Sequence, residues 1–291
     1  MSAPGASHGL LELMSWNGEV FAMHLRRLLL SLSGHRPLCR STSAETSRSS
    51  NTRLLAYKVM QIETSNYCSL KCIYCPHPTQ MRPKGNMSME MFEKCVTLVE
   101  RSDNPRLSDG RKFVWLNHFG EPLLNPLLPG FIEHATSRGV KVSFASNGVD
   151  HNGDLFPRTV WKRLASAGLE DVMLSAHKQR EETLREHVGD IVKVRWLWSP
   201  RKGNFHDWAG QVDMSRFSLD PLDVPLDKCD YNKHNMFAVT WDGRIAACCY
   251  DIEGRVGQSI DDVLRDGYLF RGISLCGTCR LGRGDADWLI V

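Results

Sequence analysis

The chain has 291 residues, 42% hydrophobic and 24% charged, with a formal net charge of +3. That length suits one barrel-sized domain with a small appendage, or two modest domains, and the composition is that of a soluble globular protein. The small, dispersed charge argues against a nucleic-acid partner, and no apolar run of about 18 residues is present to span a membrane.

Residues 1–55 stand apart. His24–Arg53 is rich in Arg and Ser and holds one acid, Glu45, and Val20–Leu32 has the pattern of a short amphipathic helix. Such a composition resembles an organellar transit peptide. The plainer expectation is a disordered extension on a cytoplasmic protein.

From Leu54 onward, short apolar runs alternate with helical periodicity. Lys58–Glu63 is an expected strand that ends just before a cysteine-rich loop. Met89–Glu100 places Phe92, Cys95, Val96 and Val99 on one helical face, with Ser88 positioned as N-cap. Phe113–Leu116 is a short strand. Asn125-Pro126 carries the signature of a helix start and Gly139 that of its end. Val140–Ala145 alternates as a strand, Pro157–Ala167 is helical up to Gly168, and Val172–Leu174 is a strand core. Glu181–Val188 is a further helix and Ile191–Leu197 a further strand. Strand and helix therefore alternate about every 30 residues, which predicts an α/β protein with a parallel sheet. About six such units make a partial, open barrel instead of the closed barrel of eight. Ligand sites in such sheets lie beyond the carboxyl ends of the strands. The alternation stops after Pro200. The expected organisation is an extension over 1–55, a barrel over 56–200, a connection over 201–228 and a compact cysteine-rich segment over 229–291.

Ten cysteines are present, and they bunch at metal-ligand spacing, which favours a reducing compartment and metal binding over a disulfide framework. The first group is Cys68-x3-Cys72-x2-Cys75, on a loop leaving a strand. Three thiolates can hold three irons of a four-iron cube and leave the fourth open to a ligand. A Cys3His zinc site completed by His77 is the alternative. The second group is Cys229, Cys248, Cys276 and Cys279, with Cys249 beside it. Trp241–Cys248 reads as a hairpin turn and a strand delivering a cysteine, and Cys276-x2-Cys279 is a tight chelating pair. These four could hold zinc as a ribbon, which would make the chain a non-catalytic binding module.

The first cysteine group, with Tyr74 before its last cysteine, resembles the hallmark of the radical S-adenosylmethionine (SAM) superfamily. Further motifs agree. Phe119-Gly120-Glu121-Pro122 resembles the family's Gly-Gly-Glu, with Phe in the first place. Gly120 would let backbone approach the ligand, and Glu121 would accept from the SAM ammonium. Ser146-Asn147-Gly148 matches the ribose-binding position, and Ser175 and His177 stand where other members contact the SAM carboxylate or ribose. The resemblance implies a (β/α)6 partial barrel with Cys68, Cys72 and Cys75 on a 4Fe–4S cluster. It also implies that SAM is cleaved to a 5′-deoxyadenosyl radical and that the electron comes from an external donor such as flavodoxin or ferredoxin. The second group then resembles the family's shortened SPASM, or twitch, domain. That domain binds a second 4Fe–4S cluster, here through Cys229, Cys248, Cys276 and Cys279. The family's Gly-x4-Cys spacing from Gly243 favours Cys248 over Cys249, which is left as a packed core thiol. Within the family, Gly-Glu-Pro-Leu-Leu at 120–124 and the four-cysteine set most resemble the aminocyclitol (2-deoxy-scyllo-inosamine) dehydrogenase. The implied reaction is oxidation of a small polar alcohol, with the second cluster as electron acceptor. A peptide maturase or epimerase is the rival. Arg201, in the loop after the last barrel strand, and His118, beside Phe119, are the candidate bases.

Overall fold

Strand β1 (Lys58–Ile62) sits at the centre of the larger sheet, and its buried Val59 and Ile62 explain why. It pairs in parallel with β2 (Lys112–Trp115) on one side and with β7 (Met236–Val239) on the other. Strand β3 (Val140–Ser143) continues the sheet beyond β2, in parallel register from Lys112↔Val140 to Trp115↔Ser143. Strand β8 (Ile245–Ala246) closes the opposite edge, antiparallel to β7. A second parallel sheet contains β4 (Ala145–Ser146), β5 (Asp171–Ser175) and β6 (Lys193–Trp198). These observations come from a computed structural model that describes residues 56–176, 181–198, 207–213 and 229–279. All of them lie within one compact unit spanning Leu54–Arg283.

The alternating pattern folds as expected, with three differences. The strand expected over Val140–Ala145 divides at Phe144 between the two sheets. Phe144 is fully buried, and its carbonyl accepts from Met173 N at 2.9 Å, which ties the residue between the two sheets to β5. Asn125 Oδ1 accepts from Leu127 N at 2.9 Å, a cap-type bond to the turn that leads into the helix, but the residue does more than cap. It follows a 3-10 turn, Pro122–Leu124, and its buried amide donates to the carbonyls of Thr64 (2.7 Å) and Met87 (3.2 Å). The helix begins later, as α2 (Leu128–Ser137), with Pro129 in its first turn. Finally, the barrel strands are not all consecutive. Among the described residues, β1 to β6 alternate with α1 (Met89–Arg101), α2, α3 (Arg158–Ser166) and α4 (Glu181–Val188). The parallel place beside β1 is filled from the cysteine-rich segment by β7.

Packing against the sheet fixes the helices. Ser88 caps α1 by accepting from Met91 N, and the helix buries Phe92, Cys95, Val96, Leu98 and Val99. Phe92 stacks on Phe131 of α2 at 4.3 Å. Each such side chain contributes about 1.5–3 kcal/mol of burial. Among the described residues no helix is long and apolar enough to cross a membrane. Because the barrel strands run parallel, their carboxyl ends share one rim. Glu63, the 117–121 loop, Ser146–Asn147 and Ser175 all lie on it.

Candidate active site

The first cysteine loop leaves β1 and is tied down at its base by Asn66. That buried amide donates to Gln80 Oε1 and to the Pro83 carbonyl, both at 2.9 Å, and accepts from Gly85 N at 2.7 Å. The turn Cys72–Cys75 closes with Cys75 N donating to Cys72 O. Cys68, Cys72 and Cys75 form no disulfide and are partly buried. Amide donors face two of the sulfurs: Leu70 N–H at Cys68 and His77 N–H at Cys75. The Asn147 amide approaches Cys68 Sγ at 3.8 Å. The Tyr74 hydroxyl hydrogen-bonds Cys72. Burial pushes the Cys68 thiol up to about 12 and that of Cys75 up to about 11. Unmetallated, these groups are thiols; a bound metal centre stabilises the thiolates, and the N–H donors complement that charge.

Among the described residues, no three His, Cys, Asp or Glu side chains converge closely enough to hold a single metal ion. A zinc site needs that convergence, with each donor about 2.0–2.3 Å from one point. Cluster thiolates bind separate irons and need no common point. His77, the fourth ligand considered for zinc, has Nε2 at 2.8 Å from the Asn66 carbonyl. The three thiols are a donor set of the kind an iron–sulfur cluster takes, and His77 Nδ1 is buried with no hydrogen-bond partner among the described residues.

Gly120 and Glu121 lock the second strand's rim onto this loop. Gly120 has φ +128°, and a Cβ there would meet Ser65 O, with Asn66 Cα at 2.8 Å and Tyr67 O at 2.9 Å. Only glycine tolerates both the conformation and the approach. Glu121 is buried. One carboxylate oxygen accepts from Ser146 Oγ (2.8 Å) and Leu123 N (3.1 Å), the other from Asn147 N (2.8 Å). Burial pushes its pKa up to about 7, against the pull of those three bonds. Glu121 therefore joins β2's rim to β4's, and one lone-pair direction remains for a ligand. Asn147 continues the chain of contacts through Ser69 (3.2 Å) towards Cys68. Ser175 ends β5 on the same rim. His177 and Arg201 lie outside the described residues.

His118 differs from expectation. Its Nε2 donates to the Asp251 carbonyl and its Nδ1 meets the Gln61 side chain, both at 3.2 Å. Burial pushes its pKa down to about 3. With both nitrogens engaged, it is a packing histidine between β1 and the segment after β8, a poor acceptor of a substrate proton.

The second group surrounds the β7–β8 hairpin. Cys229 precedes the short helix α5 (Asp230–Lys233), and Cys248 and Cys249 follow β8. Cys276 lies in a 3-10 turn, Ser274–Gly277, and Cys279 just beyond it. Cys248 Sγ accepts from Tyr250 N and Cys276 Sγ from Ile273 N, each at 3.4 Å. Cys249, expected as a packed core thiol, also has polar neighbours. It hydrogen-bonds Tyr231 and lies within electrostatic reach of Cys229 and Cys279.

Sequence reasoning missed the group that joins the two halves. Glu63, fully buried at the end of β1, pairs with Arg82 at 2.5 Å and accepts from Phe119 N (3.2 Å) and Trp241 N (3.1 Å). Arg82 also donates to the Ile252 carbonyl at 2.6 Å. Glu253 accepts from Met81 N and Arg82 N, clamping the loop after the first cysteines to the segment after β8. The only signal in the sequence was an acid at the end of an apolar strand.

The open parallel α/β wall carries its thiol-bearing loop at the carboxyl rim, and residues 62–209 match the radical SAM superfamily. The chain belongs to that superfamily, and membership implies a 4Fe–4S cluster and SAM. Over 164 residues it is 26% identical to mycofactocin maturase MftC of Mycobacterium ulcerans (strain Agy99), a match covering 55% of this chain and 41% of that one. The chain thus matches well under half the length of that curated relative. In fold it is similar to BtrN in complex with AdoMet and 2-DOIA, with a TM-score of 0.56 at 19% identity. That likeness covers 79% of this chain and 90% of BtrN. Streptococcus suis SuiB bound to precursor peptide SuiA gives a TM-score of 0.43 at 13% identity, covering 95% of this chain and 81% of that one.

Proposed function

We propose that this chain is a radical SAM oxidoreductase that oxidises a small polar alcohol of sugar or aminocyclitol type. In this reading Cys68, Cys72 and Cys75 hold the family's cluster. Gly120, Glu121, Ser146, Asn147, Ser175 and His177 line the SAM site, with Tyr74 completing the loop. Cys229, Cys248, Cys276 and Cys279 form an auxiliary domain over 229–291 that holds a second 4Fe–4S cluster, while 201–228 connects it to the barrel. When bound, the cluster and SAM supply a 5′-deoxyadenosyl radical that removes a hydrogen atom from substrate. The observation that carries the reading is the second thiol set, in a segment joined to the barrel by the β1–β7 pairing and the Asp251–His118 contact. A fully ligated cluster suits electron acceptance better than substrate ligation, and an acceptor is useful where a product radical must be oxidised. Glu121 fixes Ser146 and Asn147 before SAM arrives, so the site is preorganised. Arg201 is the better candidate than His118 to take the hydroxyl proton, since both nitrogens of His118 are engaged. The electron that starts each turnover comes from an external donor such as flavodoxin or ferredoxin.

The sequence likeness to a maturase supports a second reading, in which the substrate is a peptide. Turnover in D2O separates the two. With a panel of inositols and aminocyclitols, oxidation gives one 5′-deoxyadenosine per ketone and no new C–D bond at the attacked carbon. Solvent deuterium fixed in a peptide product, with activity lost in Cys249→Ala, would replace the oxidation reading with epimerisation.

A further inference from the structure

One turn touches three cysteine-bearing segments at once. Between Asp207 and Val212 three successive residues take positive φ: Trp208 at 51°, Ala209 at 59° and Gly210 at 81°. Left-handed backbone is routine for glycine but costly for tryptophan and alanine. Such strain persists only where the surroundings over-determine it. Within the turn, Asp207 Oδ1 accepts from Ala209 N and the Asp207 carbonyl from Val212 N, each at 3.0 Å. The outward bonds are more telling. The Trp208 indole N–H donates to the Tyr74 carbonyl at 2.8 Å, between Cys72 and Cys75. Gln211 donates to the carbonyls of Trp208 (2.7 Å) and Tyr250 (2.8 Å), the latter next to Cys249. The Thr278 hydroxyl, between Cys276 and Cys279, donates to the Ala209 carbonyl at 2.7 Å. The Trp208 ring lies 5.4 Å from Phe119, which precedes Gly120 and Glu121, and 5.0 Å from Tyr250.

We propose that the left-handed turn 207–212 is a keystone that sets the geometry of the Cys68–Cys75 loop from the second thiol set, with Trp208 as the positioning residue. The peptide after Tyr74 is fixed by a donor whose own backbone is held from Tyr250 and Thr278. A change at the second thiol set therefore reaches the first through this turn. Phe119, standing where the family motif has glycine, gives the indole ring a wall on the barrel side. The proposal rests on Cys68, Cys72 and Cys75 holding the family's cluster.

Two gentle substitutions test it on the anaerobically reconstituted full chain. Thr278→Val removes the bond to Ala209, and Trp208→Phe removes the donor to Tyr74 while keeping a ring against Phe119 and Tyr250. Each should speed amide hydrogen exchange at least threefold in the peptide covering residues 68–76. Each should also raise the SAM dissociation constant, by equilibrium dialysis, at least threefold at unchanged iron content. Because both act through one turn, the double variant should show little more than the larger single effect. Exchange changes confined to 207–213 in both variants, or fully additive effects on SAM binding, would overturn the proposal. If the wild-type chain bound neither iron nor SAM, the cluster assignment would fall, and the exchange comparison would still decide the coupling.

Discussion

Substituting Glu63 by Gln should destabilise the fold severely, and the structure sets the size of the effect. Glu63 has no exposed surface, and its carboxylate meets one guanidinium and two backbone N–H groups. Gln keeps the volume but is neutral, and its NH2 must face a donor. Arg82, itself 5% exposed, is left a buried cation whose nearest remaining carboxylate, on Asp242, is 3.9 Å away. Breaking a buried pair from one side costs about 3–5 kcal/mol, because the surviving charge is uncompensated. For a chain of this size each kcal/mol moves the midpoint by roughly 2–4 °C, so a fall of about 6–20 °C is expected. The reciprocal variant, Arg82→Met, should behave differently with pH. Burial already holds the Glu63 carboxyl above the ordinary range, against the pull of Arg82, and losing Arg82 raises it further. A carboxyl with a raised folded-state pKa contributes stability that is full below its unfolded value and is lost as pH rises through the folded one. The Arg82→Met deficit should therefore grow from pH 5 to pH 8, and the double variant Glu63→Gln/Arg82→Met should recover part of the loss. Urea denaturation of the four proteins at both pH values measures this. A Glu63→Gln protein within about 1 kcal/mol of wild type would refute the reasoning, since that is the range of an exposed pair.

Other expectations are as direct. Gly120→Ala should misplace the Glu121 loop and cost at least about 1–3 kcal/mol, from φ +128° and the clash with Ser65 and Tyr67, read by thermal melting and by SAM binding. Glu121→Ala should weaken SAM binding about 10- to 150-fold if the remaining lone pair meets the ammonium, at about 1.5–3 kcal/mol for a charge-assisted bond. Without SAM, wild type should lose stability relative to Glu121→Gln as pH rises through about 7, by on the order of 3 kcal/mol in all; parallel pH profiles would contradict the raised pKa. Iron analysis should give about eight irons per chain, falling to about four in Cys276→Ser or Cys279→Ser with SAM cleavage retained. Four irons in the wild type would remove the second cluster.

The sequence alone determined those features that rest on local spacing. The βα alternation, the Ser88 cap, the cysteine triad and the Gly-Glu and Ser-Asn-Gly motifs are all short-range patterns. The cysteine, Gly-Glu and Ser-Asn-Gly motifs stand at strand ends, so they reached the same rim once the strands ran parallel. The β7–β8 hairpin was likewise readable from its Trp-Asp-Gly turn. What needed the tertiary structure were contacts between segments distant in sequence. The place of β7 beside β1 depends on pairing across more than a hundred residues. No residue type marks the break at Phe144, where the chain passes from one sheet to the other. Asn125 carries a capping signature and its Oδ1 does accept from Leu127 N, but nothing local shows that its NH2 also ties the carbonyls of Thr64 and Met87. His118 beside a motif reads as a catalytic base until Gln61 and Asp251 are seen to engage both its nitrogens. Arg82 and Trp208 carry no local pattern, and Glu63 only that of an acid at the end of an apolar strand. Their roles arise from burial and from partners across the fold, because a buried charge or a strained turn is held only by whatever the completed structure places against it.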